Sequence, residues 1–477
     1  MTFSLLLTVI PPLGAQTFTT IHSFTNTDGQ GPGAGLVLAS NVLYGTTGIG
    51  GSQSNGTVFA VNNDGNNFRV LHSFTVTDPV TGTNSDGAHP FAGLVLSGNT
   101  LFGTTAEGGT NIEFGTFGCG TIFSVNTDGT NFTVLHQFDG SDGFSPHACL
   151  LLSGGILYGT TYEGGSTIQT GMPAGTIFSI NTNGTGFNVI HTFDGFSEVE
   201  YPDGANPEGD LILASNVFYG TTAGGGSDQA GTVFSFETND VIPTILHNFS
   251  GVIGLGPHSG LILSGNTLYG TTSAGGNQEG GTIFSMSTGG SNYLVLHNFT
   301  YPDMATGTNV DGAFPNADLM LYGNTLYGTT YSGGSQSNGV VFAVNTDGSS
   351  YTVLHNFTAI DPNNYTNADG AFSESSLVMS SNTLYGTAVG GGSQGRGTVF
   401  SLQLPSVAGI TRNQDGSITI NFTGGADVNL LQVSTNLSSP GGWQTISTNM
   451  AGANGLWQFT DTNANSYPFR FYRSSTP

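Results

Sequence analysis

The sequence contains no lysine. Its only basic residues besides histidine are Arg69, Arg396, Arg412, Arg470 and Arg473, set against 30 acids for a formal charge of -25. So few cations cannot neutralise a phosphate backbone, which excludes nucleic acid as an expected partner. Without lysine there is neither a Schiff-base nucleophile nor a phosphate-loop lysine. Cysteine is scarce too: Cys119 and Cys149 are too few for a disulfide framework and lack zinc-site spacing. In an exported chain they can form one bridge or remain two buried thiols. No stretch approaches the ~20 apolar residues of a membrane span. Also missing are a His-Glu-x-x-His helix and an EF-hand loop.

What is abundant is glycine, at 76 of 477 positions, and it recurs in register. Leu43-Tyr44-Gly45-Thr46-Thr47 returns in close copies starting at Leu101, Leu157, Phe218, Leu268, Leu326 and Leu384. The aromatics Tyr44, Phe102, Tyr158, Tyr219, Tyr269, Tyr327 and Tyr385 are therefore 50 to 61 residues apart, a period of propellers and solenoids. Each unit holds four short runs rich in Val, Ile, Leu, Thr and aromatics, alternating as strands do and bounded by turn residues such as Asp128-Gly129. Four strands in each of seven units, with no helical period, predict an all-β, seven-bladed β-propeller.

The ends of the array predict how it closes. A fourth-strand motif, Ile21-His22-Ser23-Phe24, precedes any first strand, whereas none follows the seventh third strand at residues 397–402. The N-terminal strand, about residues 18–24, is expected to complete the last blade. That closes the ring and leaves only short, protected edges.

Three regions are expected: a signal peptide at 1–15, the propeller at 16–404 and a β-domain at 405–477. Residues 3–10 are apolar and small residues precede a cleavage point after Ala15, although no basic n-region is present. A secreted or cell-surface location follows, with an apolar tail as the other reading. The period stops after Pro405, and the remainder holds both tryptophans, Trp443 and Trp457, with strand-like runs at 417–422, 429–434, 443–447, 456–461 and 469–473. A small β-sandwich is expected there.

Leu-Tyr-Gly-Thr-Thr, the Gly-Gly after it (Gly50-Gly51, Gly108-Gly109, Gly164-Gly165), Gly56-Thr57-Val58-Phe59 and Leu71-His72-Ser73-Phe74 together resemble the GloVer (Gloeo/Verruco) repeat family of secreted proteins. The resemblance spans about residues 18–402 and implies export and a propeller-like fold, but no activity. Around Trp443-Gln444-Thr445 and Phe469-Arg470-Phe471-Tyr472-Arg473 the C-terminal region resembles the Ig-like or fibronectin-like modules that end many secreted verrucomicrobial proteins.

In a propeller the links between blades open on one face, and here these links are the variable segments, which favours that face for function. Aligning the Asp-Gly-x-x-Pro links places Gly33, Phe91, His147, Glu208, His258, Asn316 and Glu374 in one ring at the channel mouth. Two residues later come Gly35, Gly93, Cys149, Asp210, Gly260, Asp318 and Ser376. Such a gathering can bind a ligand, hold a divalent cation or supply acid and base, with a solvated polar rim as the plain alternative. Phe91, His147, Glu208, Asp210, His258, Asn316, Asp318 and Glu374 are the candidate ligand-binding residues. His147, His258 and Glu208 are catalytic candidates. Glu107 and Glu163, at matching positions before Gly-Gly, are candidate partners for glycan cleavage or ordinary surface acids.

The fourth-strand histidines are too widely spread to share an ion and are expected to bond between strands or blades. Three longer links carry acids eight apart, Asp78 and Asp86, Asp303 and Asp311, Asp361 and Asp369. They are candidate calcium ligands or parts of turn-rich loops. The leading expectation is a monomeric exported scaffold that binds a glycan or an extracellular protein on its loop face. A polysaccharide lyase or glycoside hydrolase at the channel mouth, or a structural envelope or matrix repeat, are the alternatives.

Overall fold

The computed structural model describes residues 17–113, 117–165, 174–193, 203–237, 242–404, 406–415, 417–423, 428–434, 444–450, 456–463 and 471–475. The apolar leader at 1–15 and Trp443 lie outside the described residues.

Seven four-stranded antiparallel sheets form the blades of a propeller. Blade 1 runs Val37–Ala39, Val42–Thr47, Thr57–Asn62 and Arg69–Ser73 from the channel outward. Blades 2 to 6 repeat this order. Blade 7 pairs Val378–Ser380, Thr383–Ala388 and Thr398–Gln403, and its outer strand is the N-terminal Thr17–Ser23. The closure expected from the motif order is present, and it is continued where Phe24 N–H donates to the Gly397 carbonyl at 3.0 Å.

The motif Leu-Tyr-Gly-Thr-Thr has a separate physical reason at each position. Its leucine (phenylalanine in blade 4) is fully buried in every blade. Its glycine leaves room for the third-strand phenylalanine and the first-strand leucine: a Cβ on Gly45 would lie 2.7 Å from Phe59 Cζ and 2.8 Å from Leu36 Cδ2. In five of the seven blades the first threonine bridges to the next, while the Thr104 and Thr160 hydroxyls are buried without a partner. Thr46 donates to the Ala92 carbonyl, Thr221 to Ser259, Thr271 to Ala317, Thr329 to Ser375 and, across the closure, Thr387 to Ala34. The second ties the second strand to the third within a blade, as in Thr47 with Thr57 at 2.8 Å.

Apolar clusters fill the seams. Tyr44, Val58, Ala60, Leu71 and Phe74 of blade 1 pack on Leu94, Leu101, Phe123 and Val125 of blade 2. The seam from blade 7 to blade 1 is built alike, with Phe24, Tyr385 and Val399 against Leu36, Leu43, Phe59 and Val61. Each buried phenylalanine contributes roughly 1.5–3 kcal/mol, so the repeated third-strand and fourth-strand phenylalanines dominate the seams.

The fourth-strand histidines clasp neighbouring blades. His72 lies flat on Phe132 of the next blade, with ring centroids 3.6 Å apart. Its Nε2 meets Asp86, the acid of the Asp-Gly link, at 3.0 Å. His22 with Asp28, His136 with Asp142, His191 with Asp203, His297 with Asp311 and His355 with Asp369 make the same contact.

Asp86, Asp311 and Asp369 are thus engaged by histidine and by the backbone N–H groups of Thr75, Thr300 and Thr358. Their companions Asp78, Asp303 and Asp361 cap their own turns, Asp78 accepting from Val80 N–H and Thr81 N–H at 2.9 Å each. The two acids of each long link therefore do not converge on a common point. Among the described residues no group of three or more His, Cys, Asp or Glu is arranged to hold a metal ion.

The C-terminal region forms two three-stranded antiparallel sheets. One joins Ser406–Arg412, Ile418–Thr423 and Leu456–Asp461; the other joins Gln444–Met450, Val428–Ser434 and Phe471–Ser475. Ser406–Arg412 is a strand that the alternation of the sequence did not suggest.

Candidate functional site at the channel mouth

Each link from blade to blade makes the same turn. The residue before the proline takes a left-handed backbone, φ 57 at His89, Ser145 and Asn206 and 58 at Phe314. Non-glycine residues there cost about 1–3 kcal/mol, so their surroundings must fix them. They do: Ser145 N–H donates to the Cys119 carbonyl of blade 2 at 3.2 Å, and its carbonyl accepts from Tyr162 N–H of blade 3 at 3.0 Å. The turn sends the residue after the proline into the channel.

The two rings predicted from the alignment meet in one cavity of about 660 Å³. Phe91, His147, Glu208, His258, Asn316 and Glu374 line its upper part, with Cys149, Asp210, Asp318 and Ser376 beside them. Phe314, Ser273, Ala274 and Tyr331 also line it and were not predicted. Tyr331 directly follows its Leu-Tyr-Gly-Thr-Thr copy, the position of Tyr162 in blade 3, so the motif itself carried a signal for a third ring.

Glu208 is the centre of the charge network. His258 Nδ1 bonds its Oε2 and His147 Nδ1 faces its Oε1 at 3.6 Å. Burial raises the pKa of this carboxyl, but hydrogen bonds and charge from the two imidazoles outweigh it and bring the group to about 2. Burial likewise works against a charged His258, yet Glu208 beside it holds the imidazole above its ordinary value. Glu374 moves the other way, pushed up by burial and by the charge of Glu208 despite a 3.4 Å contact from Asn316 Nδ2.

Deeper in, Asp210 reaches from blade 4 to take the Cys149 N–H of blade 3 at 2.7 Å, and Asp318 takes the Gly260 N–H at 2.6 Å. A Cβ on Gly260 would lie 2.9 Å from Asp210 Cβ, so this glycine clears the path between the two acids. Asp318 and Asp210 then bond one another. Burial, then the charge of Asp210, pushes Asp318 well above the usual carboxylate range, and burial raises Asp210 as well.

Two of the open sequence readings resolve to their plainer alternative. Cys119 and Cys149 form no disulfide, because Cys119 is packed in the core between blades 2 and 3 with Ile122 and Leu150 whereas Cys149 lines the channel. Burial and then Asp210 push the Cys149 thiol well up. Glu107 and Glu163 do not line the cavity: they pair by backbone with Ala88 and Phe144 of the links, and Glu107 faces His89 at 3.6 Å. Phe91 stays in the ring, 47 % exposed, with its edge toward His147 at 5.8 Å.

The Gloeobacter/Verrucomicrobia repeat matches this sequence over residues 10–167, 79–266 and 244–457. No curated protein sequence matches. Solved propellers resemble the fold at a distance. A GH74 enzyme of Niastella koreensis is 14 % identical, covering 85 % of this chain and 59 % of its own, with a TM-score of 0.49. A chain of a nidogen/laminin complex is 14 % identical over 66 % of this chain and 93 % of its own, with a TM-score of 0.37. TolB of Acinetobacter baumannii is 14 % identical over 66 % of each, at 0.35. At these values the likeness concerns the fold alone.

Proposed function

The chain belongs to the Gloeobacter/Verrucomicrobia repeat family, and from that premise we propose that it is an exported binding module that seats a neutral glycan at the mouth of the propeller channel. The observation that carries this reading is the pairing of two exposed aromatic faces, Phe91 at 47 % and Tyr331 at 37 %, with Asn316, Glu374 and His258 on the wall of one cavity. A sugar ring presents both kinds of surface: C–H faces that stack on aromatics and hydroxyls that pair with amide, carboxylate and imidazole. A cavity of about 660 Å³ is of a size for a small ligand or short oligosaccharide and too small for a folded partner. The carboxylates of the wall disfavour anionic sugars.

A cleaving glycosidase finds one supporting feature, the opposed pKa values of Glu208 and Glu374, since a split pair of carboxyls is the pattern of an acid and its ionised partner. Against it stands the engagement of both Glu208 oxygens by imidazoles, which leaves neither open to attack an anomeric carbon.

Glycan-array binding of the full chain, with and without a chelator, tests the reading, followed by incubation of each hit and a search for shortened products. We expect retention of neutral oligosaccharides without chain cleavage. Phe91→Ala and Tyr331→Ala should each weaken binding about tenfold, the 1.4 kcal/mol of one aromatic contact. Absence of any glycan hit, or binding indifferent to both variants, overturns it.

A further inference from the structure

Beside the cavity, lining residues His147 and Glu208 belong to a constellation that the aligned rings do not contain. Ser145, just before Pro146, places Oγ 3.0 Å from His147 Nε2, and Nδ1 of the same ring faces Glu208 Oε1 at 3.6 Å. An ionised carboxylate can only accept, so a neutral His147 carries its proton on Nδ1 toward Glu208. Nε2 is then left to accept from the Ser145 hydroxyl. Hydroxyl, imidazole and carboxylate therefore stand in the order and on the ring nitrogens that nucleophilic acyl transfer requires.

Three supports hold the arrangement. The Ser145 backbone is fixed from two blades, as described above. The His147 ring lies nearly parallel to Tyr162, with centroids 5.4 Å apart at 14°. Glu208 is anchored on its far side by His258. The repeat also supplies its own comparison. In blade 5 His258 meets the same carboxylate through Nδ1, but the residue two before it is Gly256, where a Cβ would lie 3.0 Å from His258 Nε2. Two imidazoles flank one acid in the same orientation, and only the one in blade 3 is given a hydroxyl. Ser145 is half-buried, next to the lining residue His147, and Phe314, which occupies its position in blade 6, lines the cavity.

We propose that Ser145 and His147 are catalytic residues of an acyl-ester hydrolase, positioned by Glu208, whose substrates are O-acylated neutral glycans. Ser145 Oγ attacks the ester carbonyl carbon while its proton passes to His147 Nε2. The C–O bond to the sugar breaks, and the departing sugar oxygen takes that proton. Water, deprotonated by the same nitrogen, then cleaves the acyl-serine to the free acid and restores the hydroxyl. The acyl chemistry stands on the geometry; the sugar half of the substrate rests on the binding reading above.

The test treats the full chain with diisopropyl fluorophosphate and maps the adduct by peptide mass, alongside hydrolysis of p-nitrophenyl acetate. One adduct on Ser145 is expected. Hydrolysis should fall roughly 10³-fold in Ser145→Ala and His147→Gln, and Glu208→Gln should shift its pH profile as well as its rate. No adduct on Ser145 in the wild-type chain overturns the proposal without depending on any variant's folding. So does hydrolysis that Ser145→Ala leaves intact. An adduct on Ser145 in a chain that retains no glycan on the array removes the glycan half alone, which separates failure of the substrate from failure of the chemistry.

Discussion

His247 is the one fourth-strand histidine whose link has no acid to meet it. Asp28 and Asp142 stand six residues after His22 and His136, and Ile253 stands six after His247. The stack on the next blade survives, with His247 4.0 Å from Tyr293, but Nε2 is buried without a partner. Ile253→Asp should rebuild the clasp. A hydrogen bond to a charged group is worth about 1.5–3 kcal/mol. The acids of the two equivalent short links remain partly exposed, at 22 % and 19 %, so screening and side-chain ordering take back part of it. About 1 kcal/mol remains. The sign with pH is fixed by burial, which lowers the His247 pKa. The native ring stays neutral while the unfolded one protonates below about 6.5, so the wild-type seam loses stability as pH falls through that value. A carboxylate beside the ring raises its pKa and reverses this. Urea unfolding of the two chains should show a larger gain at about pH 5.5 than at about pH 8. A loss at both, or a gain independent of pH, would refute the clasp as the source of seam stability.

Asp318→Asn imitates the protonated carboxyl and can still accept from Gly260 N–H. Because the folded pKa of Asp318 is raised, the wild type pays to keep its proton as pH rises above about 3.8; the variant should be the more stable at neutral pH and equal near pH 3.5, read by thermal unfolding. Gly103→Ala forces a Cβ to 2.7 Å from Phe123 Cζ and 2.8 Å from Leu94 Cδ2, and denaturant unfolding should register a loss of about 1–3 kcal/mol. The ion pair of Glu208 with His258 has two limits. The Glu208 contribution is lost as pH falls from 4.5 toward about 2, and that of His258 as pH rises through its elevated value above 6.5. Glycan affinity measured across pH should fall at both ends.

Much of the fold was legible because repetition samples one physical solution seven times. Leu43 and Gly45 recur because each blade must bury one apolar residue and admit one phenylalanine, and Thr46 because in five blades its hydroxyl bridges to the next. The link alignment located His147, Glu208, His258 and Glu374 in one ring because a rotational array returns equivalent residues to equivalent radii. What it could not convey was direction within a position. Asp86, Asp311 and Asp369 read as calcium candidates because their spacing was visible and their pairing with His72, His297 and His355 was not. Cys119 and Cys149 share a face of the sequence pattern, yet Cys119 leads into a third strand packed in the seam and Cys149 into a first strand beside the channel. Ser145 escaped notice because no motif marks it: its meaning depends on which nitrogen of His147 it meets.

Hydrogen–deuterium exchange of the full chain, with and without the best-retained oligosaccharide, tests the channel mouth most directly. The account predicts protection at residues 89–93, 145–149, 206–210, 256–260 and 314–318, which are the turns that aim side chains into the cavity. Protection that spares these turns and falls instead on strands Ser406–Arg412 and Ile418–Thr423 of the C-terminal region would contradict it.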